Sequence, residues 1–301
     1  MLLLITIKGD ATADILIEHL KQPVFRFNVD SFLDYDFELT PFGWQVENMV
    51  GRSISSETAS RCFWWKALLV SPDDDPFVRN EVRCQVGELY SWFLERDQIV
   101  GNSPNTEDRL GKIRQARIAS DIFAVPEQVC AWGRRVARPF ISGVPCVAKS
   151  LSSQLNRFGN ALFTTEVTPG DLDPGFPWYL QEKIYSGFDV TVQIVGEKLF
   201  AYERSREKLS TLDWRYEIFT DNTSWAYFEL DEFDTKRIYE LTKAMNVNWG
   251  RIDFLRTNNG LVFLELNPNG QWAFLDLENK QGLLTSVAEF VENSVTHGNM
   301  V

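Results

Sequence analysis

The chain has 301 residues, 44% of them hydrophobic, which is enough for a buried core and for more than one domain. Its net charge of −12 argues against an extended surface for nucleic acid or anionic membrane, because phosphate contacts require clustered Lys and Arg. The 4 cysteines form no C-x-x-C pair and only 2 histidines accompany them, so no zinc site is expected. No run reaches the ~18 apolar residues of a membrane helix. We therefore expect a cytoplasmic protein whose thiols stay reduced.

The first part of the chain predicts an α/β layer. The run "LLLITI" predicts a buried strand and not a signal peptide, since no basic segment precedes it and no small-residue cleavage site follows. A helix from about Thr12 to Lys21 and the run "PVFRFN" follow, which together predict a βαβ unit. Further strands are predicted at "FELTPFGWQVEN" and "SRCFWWKALLV". The apolar spacing between Phe77 and Asp97 predicts an amphipathic helix.

A turn-rich stretch, "GNSPNTED", begins at Gly101, where we place a domain boundary. Beyond it, "RLGKIRQARIASDI" predicts a helix, and short strands are expected after Pro126 and at "VPCVAKSLSS". The polar, Gly-rich residues 152–175 are the candidate for a mobile loop that closes over a ligand. The helix "ELDEFDTKRIYELTKAM" comes before the last predicted strand pair. The clearest strand signals are "WYLQEKI", "DVTVQIVGEKLFAYERS" and "RIDFLRTNNGLVFLELN".

That last run combines two apolar strands with three oxygen-bearing side chains, Asp253 on the first strand and Glu265 and Asn267 on the second. Glu265 and Asn267 are two residues apart and therefore point to the same face. If the strands pair through "RTNNG", Asp253 joins them. Two carboxylates and one amide oxygen form a hard oxygen site suited to Mg²⁺. The alternative is a solvent-facing polar stripe, which would alternate more steadily than this run does.

Two lysines and a short polar run lie upstream of the hairpin. Lys149 ends a predicted strand that runs into a small-residue loop, a setting in which an ammonium group and backbone N–H groups hold phosphates, and Lys112 begins a predicted helix. Either lysine taken alone is more often a solvated surface charge. Backbone groups of the next run can pair with a purine, while Asp189 takes the ribose hydroxyls. This run consists of Gln181, Glu182, Lys183 and Ile184.

In this order along the chain, these residues resemble the ATP-grasp ligases, with "LELNP" as the most diagnostic short piece. The resemblance implies an α/β and α+β architecture: an ATP-grasp fold, in which two α+β subdomains clasp ATP, preceded by a small α/β domain. The implied domains are residues 1–101, 102–183 and 184–301. It also implies that the two lysines hold ATP phosphates, that the run from residue 181 to 184 reads adenine, and that Asp253, Glu265 and Asn267 bind Mg²⁺.

A narrower resemblance rests on "LLITIKGDATADILIEHL", "VFRFNVDSF", "DWRYE", "NVNWGRIDFL" and "FLELNPNGQW". These pieces are similar to the microviridin-type graspetide synthetases, whose pre-ATP-grasp domain comes first in the chain. The resemblance implies a cytoplasmic, homodimeric ligase that binds the leader and core of a ribosomal precursor peptide. Such a ligase converts Asp or Glu side chains to acyl phosphates and closes ω-ester or ω-amide rings. Neither nucleic acid nor membrane is an expected partner.

The chain departs from the family pattern at several places. Thr191 stands where an arginine is common, so one phosphate or acyl-phosphate contact must come from elsewhere, and Gln271 stands where glutamate is also seen. The run from residue 181 to 184 is the hinge of this family pattern. In or beside the predicted hairpin that follows it lie Arg204, Arg206 and Arg215, and we assign catalytic roles to Arg215 and Arg204. A general base is not determined by spacing, and two acids remain open, Asp213 and Glu203. A basic patch at Arg134, Arg135 and Arg138 is a candidate surface for an acidic peptide, or else a solvated helix face.

Three hypotheses follow. The leading one is a peptide macrocyclase. The second is a ligase of the same fold that joins a free amino acid to a peptide or to another amino acid. The third is a catalytically weak, leader-binding partner. A requirement for the leader peptide would distinguish the first hypothesis from the second. The presence of both lysines and of all three predicted Mg²⁺ ligands argues against the third.

Overall fold

The structure is a computed structural model of the chain, and it describes residues 1–67, 75–103, 105–133, 143–151, 163–207, 212 and 225–293, with the backbone alone at residues 107 and 108. Within these ranges no helix is both long and apolar enough to cross a membrane. The described helices are α1 (Ala11–His19), α2 (Pro76–Leu94), α3 (Thr106–Arg109), α4 (Lys112–Ala119), α5 (Glu232–Met245) and α6 (Leu283–Asn293). The 3₁₀ turns include Val29–Asp34, Pro169–Asp171 and Ala273–Leu275.

The amino-terminal part contains a parallel sheet of order β2-β1-β6-β7, which confirms the predicted βαβ unit. All five residues of the first strand are buried, so its unbroken apolar run reflects cover on both faces. The helix α1 starts after Asp10, whose carboxylate accepts a hydrogen bond from the backbone N–H of Ala13. The strands are β1 (Leu2–Thr6), β2 (Val24–Asn28), β6 (Arg61–Trp64) and β7 (Ile99–Val100).

A small antiparallel sheet and the long helix α2 complete this part. The sheet has the order β3-β4-β5, and the turn "TPFG" joins its first two strands. Buried side chains of both sheets and of α2 form one core, to which Phe27, Trp44 and Phe93 belong. The predicted helix between Phe77 and Asp97 is therefore confirmed, with bounds shifted by one to three residues. The strands are β3 (Tyr35–Thr40), β4 (Gly43–Asn48) and β5 (Ser53–Ser55).

The central part holds an antiparallel sheet of order β10-β9-β11-β8. Of the candidate mobile loop at residues 152–175, residues 152–162 lie outside the described residues. The later portion contains β10 and the 3₁₀ turn at Pro169–Asp171. The basic patch predicted at Arg134, Arg135 and Arg138 also lies outside the described residues. The strands are β8 (Gln128–Ala131), β9 (Cys146–Lys149), β10 (Thr165–Val167) and β11 (Trp178–Glu182).

The carboxy-terminal part is a five-stranded antiparallel sheet of order β14-β13-β12-β15-β16. One face is apolar and packs on α4 and α5, with Val192, Ile252 and Phe263 in the shared core. The other face carries polar side chains along its middle. The strands are β12 (Phe188–Val195), β13 (Lys198–Ser205), β14 (Ala226–Tyr227), β15 (Trp249–Thr257) and β16 (Gly260–Asn267).

A further core joins the first and last parts of the chain. It contains side chains from β1, β6 and α1 together with Trp249, Trp272 and the buried face of α6. Trp65 and Trp272 are only 1% and 2% exposed, and both pack in this core. The predicted domain limits near residues 101 and 183 stay predictions. The parts that they separate share apolar cores, and α4 packs on the carboxy-terminal sheet.

Candidate nucleotide and metal site

A cavity of about 350 Å³ is lined by residues of the central and carboxy-terminal sheets and by the start of α4. This volume lies at the small end of the range typical of ligand sites, roughly 300–1,000 Å³. The central sheet contributes β9 and β11, and the carboxy-terminal sheet contributes β12, β15 and β16. All the predicted nucleotide- and metal-binding residues line the cavity: Lys112, Lys149, Gln181, Glu182, Lys183, Ile184, Asp189, Asp253, Glu265 and Asn267.

A β-bulge explains how one apolar strand carries the polar cluster. Asp253 pairs with Glu265, but the next residue, Phe254, pairs with Phe263, so Leu264 is the extra residue on β16. A one-residue shift exchanges the faces of a strand. Phe263 before the bulge and Leu266 after it therefore both reach the apolar core, while Glu265 faces the cavity. This bulge accounts for the interruption of the apolar run in the sequence. The polar side chains line the cavity and do not form the regularly alternating, solvent-facing stripe that was the alternative.

The side-chain amide of Asn267 lies within hydrogen-bond distance of the other two predicted metal ligands, Asp253 and Glu265. The amide Nδ2 of Asn267 donates to Oδ2 of Asp253 at 3.0 Å and approaches Oε1 of Glu265 at 3.4 Å. Because the amide nitrogen faces the two carboxylates, the amide oxygen remains as a donor atom for a cation. Thr191 donates its hydroxyl proton to Oδ1 of Asp253 at 2.8 Å. Two carboxylates and an amide oxygen in one cluster are the hard donor set that fits Mg²⁺.

Both predicted lysines lie beside this cluster. The ammonium group of Lys112, at the first position of α4, is 2.8 Å from Oε2 of Glu265 and donates to the carbonyl oxygen of Ser150 at 2.9 Å. Lys149 ends β9 and donates to Oε1 of Gln181 at 3.2 Å. Burial by itself raises the pKa of Glu265, but the two lysines and the Asn267 amide outweigh it and lower the pKa to about 2. Glu265 is therefore ionised at neutral pH, as a metal ligand must be.

Gln115 fixes α4 to the edge of the sheet, a role that the sequence analysis missed. Its side-chain amide donates to the carbonyl oxygen of Leu266 at 2.9 Å and accepts from the backbone N–H of Leu266 at 2.7 Å. The glutamine thus pairs with the outer edge of β16 as a neighbouring strand would. Leu266 lies between Glu265 and Asn267, so this contact also holds the start of α4 and Lys112 beside the cluster. The available signal was a polar residue on the buried face of a short helix.

Arg251 is a second missed residue. Its guanidinium donates to both oxygens of Asp253, at 3.0 and 3.1 Å, and to the carbonyl oxygen of Gln271 at 2.8 Å. Arg251 is two residues before Asp253 on β15, so the period-2 rule that joined Glu265 to Asn267 also places these two side chains on one face. The arginine lines the cavity and adds a cation beside the predicted metal ligands.

The predicted adenine-reading residues lie where the central sheet lines the cavity, at and just after the end of β11, which we call the hinge end. The strand β11 ends at Glu182. The backbone N–H of Glu182 donates to the carbonyl oxygen of Glu127 at 2.7 Å, and that of Lys183 donates to the carbonyl oxygen of Pro145 at 2.8 Å. The ammonium group of Lys183 pairs with Glu166 at 2.6 Å. Gln181 is 3% exposed, and its amide nitrogen has no hydrogen-bond partner among the described residues. A buried donor of this kind is costly unless a ligand accepts from it.

Of the two predicted catalytic arginines, Arg204 is within the described part of the chain, and it does not line the cavity. Arg204 is buried and pairs with Asp189, while Arg215 lies outside the described residues. Arg206, which comes two residues after Arg204, does line the cavity, and it donates to Oδ1 of Asp189 at 2.5 Å. Asp189 therefore accepts from two guanidinium groups, and a ribose would have to share this carboxylate with them.

Glu203, one of the two acids left open as general base, is placed away from the cavity. Successive strand residues point to opposite faces, so Glu203 lies on the face opposite Arg204. Its carboxylate pairs there with Arg256. The other acid, Asp213, lies outside the described residues.

The comparisons with known proteins agree with this architecture. No family model matches the chain, and no curated protein matches it significantly. Among solved structures, the macrocyclase MdnC of Microcystis aeruginosa, bound with the precursor peptide MdnA, is 22% identical with a TM-score of 0.81, over 97% of this chain and 99% of that one. A RiPP-associated ATP-grasp ligase of Chryseobacterium gregarium, in complex with ADP and a leader and core peptide, is 23% identical with a TM-score of 0.81, over 96% of each chain.

The chain has the ATP-grasp fold. A third similar structure, the ATP-grasp ligase PsnB complexed with minimal precursor, Mg and ADP, is 16% identical with a TM-score of 0.69, over 96% of this chain and 97% of that one. Because the matches extend over nearly the whole chain, the amino-terminal layer belongs to the shared architecture. The predicted fold class, an ATP-grasp fold preceded by a small α/β domain, is confirmed.

Proposed function

We propose that this protein is an ATP-dependent ligase that closes ω-ester or ω-amide rings in a ribosomal precursor peptide. The observation that carries the proposal is the cavity between two sheets, in which Lys112 and Lys149 meet the cluster of Asp253, Glu265 and Asn267. Support also comes from the solved structures of the same fold, which are described as a macrocyclase or ligases bound with precursor, leader or core peptides.

In this proposal each end of the cavity has its own task. The hinge residues from 181 to 184 hold the adenine, and Lys112 and Lys149 neutralise the phosphates. Asp253, Glu265 and Asn267 would hold Mg²⁺, which supplies positive charge to the phosphate oxygens when bound. Arg251 and Arg206 are the cations of the cavity wall that lie near Thr191 and Asp189, so we assign to them the contact that Thr191 cannot make.

The chemistry is a dehydration driven by ATP. A carboxylate is a poor acyl donor because its oxygen is a poor leaving group. Attack of a peptide Asp or Glu carboxylate oxygen on the γ-phosphorus forms an acyl phosphate and releases ADP. A Ser or Thr hydroxyl or a Lys amine of the same peptide then attacks the acyl carbon, phosphate leaves, and the nucleophile loses a proton. The residues of the cavity contribute by positioning the groups and stabilising the charge, which dominate phosphoryl transfer.

The partner and the cellular setting belong to the same proposal. The precursor supplies a leader, which is recognised in part by the amino-terminal layer, and a core, which enters the cavity. We also propose a homodimer in the cytoplasm. The cysteines among the described residues are free thiols, as a reducing compartment requires. Light scattering after gel filtration tests the dimer, and an apparent mass near that of one chain would contradict it.

The decisive experiment is mass spectrometry of a candidate precursor encoded beside this gene, after incubation with the protein, Mg²⁺ and ATP. We expect the loss of one water mass for each link, and we expect this loss to require the leader. A gain of one amino-acid residue mass would instead indicate a ligase for free substrates. An unchanged peptide, despite measured binding of ATP, would indicate the catalytically weak, leader-binding partner.

A further inference from the structure

The segment 268–272 follows β16 and passes over Arg251. Gly270 packs so closely that an added Cβ would lie 2.7 Å from Cβ of Arg251, which is too near for two carbon atoms. The carbonyl oxygen of the next residue, Gln271, accepts from Nη1 of Arg251 at 2.8 Å. The segment has no strand or helix of its own. Its position, and with it the direction of the guanidinium, therefore depends on what holds its side chains.

The side chain of Gln271 is held by the start of α1, which is far from it in the sequence but in direct contact in the fold. Oε1 of Gln271 accepts from the hydroxyl of Thr12 at 2.6 Å, and Nε2 faces Oδ2 of Asp10 at 3.5 Å. Asp10 and Thr12 are 6% and 8% exposed. An ionised carboxylate only accepts hydrogen bonds, so this pair of neighbours fixes the direction of the amide: its nitrogen faces Asp10 and its oxygen faces Thr12.

The two ends of the segment are anchored separately. At the start, the buried amide of Asn102 donates to the carbonyl oxygens of Pro268 at 3.0 Å and Trp249 at 2.7 Å. At the end, Trp272 is 2% exposed in the core that joins the first and last parts of the chain. The side-chain hydrogen bonds between this segment and α1 are made in its middle, by Gln271.

We propose that Gln271 is a positioning residue that transmits the location of α1 to Arg251 and Asp253, so that the amino-terminal layer completes the Mg²⁺ end of the cavity. The proposal rests on the proposed function in so far as that end of the cavity receives Mg²⁺ and ATP. The chain of contacts runs from Thr12 and Asp10 through Gln271 to Arg251, and from Arg251 to Asp253. A glutamate at position 271 would break it, since a second carboxylate would then face Asp10.

This chemistry provides a reciprocal test. Gln271→Glu keeps the side-chain volume and the acceptor for Thr12, but it loses the donor to Asp10 and adds repulsion. Adding Asp10→Asn restores a hydrogen bond in the opposite direction, because the amide introduced at position 10 donates to the carboxylate introduced at position 271. Asparagine also caps a helix as well as aspartate does. The double variant should therefore restore the contact. A general loss of packing would not be restored in this way.

The first readout is calorimetric binding of AMPPNP to the full chain, with Mg²⁺ and with EDTA. For Gln271→Glu we expect the affinity in Mg²⁺ to fall about tenfold, as for residues that orient metal ligands, and the affinity in EDTA to change less than about twofold. The double variant Asp10→Asn/Gln271→Glu should return to within about threefold of the wild type. Unchanged affinity in Gln271→Glu, or a loss that Asp10→Asn leaves in place, would overturn the proposal.

The second readout separates this proposal from the function. The Nε–H proton of Arg251, assigned by its absence in Arg251→Lys, should exchange slowly in the NMR spectrum of the wild type. We expect faster exchange in Gln271→Glu and slow exchange again in the double variant, whether or not the protein binds AMPPNP. A wild type that binds no AMPPNP would refute the proposed function alone. An exchange rate that is equal in all three proteins would refute the positioning role alone.

A second pair of variants covers the case in which Gln271→Glu does not fold. Thr12→Val removes the hydroxyl and keeps the shape, whereas Thr12→Ser keeps the hydroxyl. We expect Thr12→Val to weaken AMPPNP binding in Mg²⁺ about threefold and to speed the exchange of the Arg251 proton, and Thr12→Ser to match the wild type in both. Equal behaviour of the two variants would contradict the proposal.

Discussion

The two ends of the cavity are built in different ways. At the proposed Mg²⁺ end, charged side chains on regular elements hold one another: Lys112 pairs with Glu265, and Arg251 pairs with Asp253. At the hinge end, the strand β11 stops and the wall consists of backbone and the buried amide of Gln181, while the ammonium group of Lys183 pairs with Glu166. Because side chains rather than backbone form most of the proposed Mg²⁺ end, single substitutions should have far larger effects there than at the hinge end.

The largest effect is expected from the predicted metal ligands. Glu265→Gln and Asn267→Ala should each lower ATP-dependent phosphate release about a hundredfold or more, because they remove donor atoms where charge must be balanced in the transition state. Phosphate release is measured by a coupled assay, and circular dichroism checks that the fold is intact.

Glu203→Gln is the matched control for Glu265→Gln. Glu203 is a carboxylate of the same sheet that pairs with Arg256 on the opposite face. The Glu203→Gln variant should retain activity within about threefold of the wild type, as expected for a side chain that does not reach the cavity. Full activity in both metal-ligand variants would refute the assignment of the Mg²⁺ end.

Lys112→Met should reduce stability before any ligand is added. Removing the ammonium group leaves the carboxylate of Glu265 without its closest cation, and we expect a loss of about 1–3 kcal/mol in the free energy of unfolding, measured with urea at neutral pH. The matched control is Lys183→Met, since its partner Glu166 is half exposed. That change should cost less than about 1 kcal/mol.

The stability difference between the wild type and Lys112→Met should also depend on pH, because Lys112 acts through ionised Glu265. In the wild type the pKa of Glu265 is lowered to about 2, so ionised Glu265 stabilises the fold above the unfolded pKa, roughly 4, and this contribution is lost as the pH falls toward 2. The stability difference between the wild type and Lys112→Met should therefore shrink below about pH 4. A difference that stays constant down to pH 3 would show that Lys112 acts other than through Glu265.

A moderate effect is expected from Gln181→Leu at the hinge end. The change removes a buried donor that has no partner among the described residues, and it also removes the oxygen that accepts from Lys149. The stability without nucleotide should therefore stay within about 1 kcal/mol of the wild type. If the nucleotide accepts from this amide, the Kd of AMPPNP should rise about tenfold. Gln193→Leu, at a glutamine buried on β12, is the control and should leave the Kd unchanged.

The smallest effect is expected from Lys183→Met on nucleotide binding. The ammonium group of Lys183 is held by Glu166, so the change should leave the backbone contacts that we propose between the hinge and adenine. We expect the Kd of AMPPNP to change less than about threefold, measured by calorimetry. A rise of tenfold or more would contradict the expectation that the side chain of Lys183 does not hold the nucleotide.

The sequence located most of the cavity because its residues lie on strands with clear periodicity. Glu265 and Asn267 are two residues apart, and the apolar runs around them are long enough to predict strands. The arginines were harder to assign. Spacing did not distinguish Arg204, which pairs with Asp189 in the sheet, from Arg206, which reaches the cavity. Both flank one strand end, and only the register against β12 decides between them.

By itself, the sequence determined the elements and the chemical types of the site, because periodicity and residue chemistry are local properties. The tertiary structure decided what those residues face. The bulge at Leu264 turned Glu265 toward the cavity while Phe263 and Leu266 stayed in the core. Gln115 paired with the edge of β16 from a distant helix, and α1 reached Gln271 across the chain. Such contacts join residues far apart in sequence, so no local pattern encodes them.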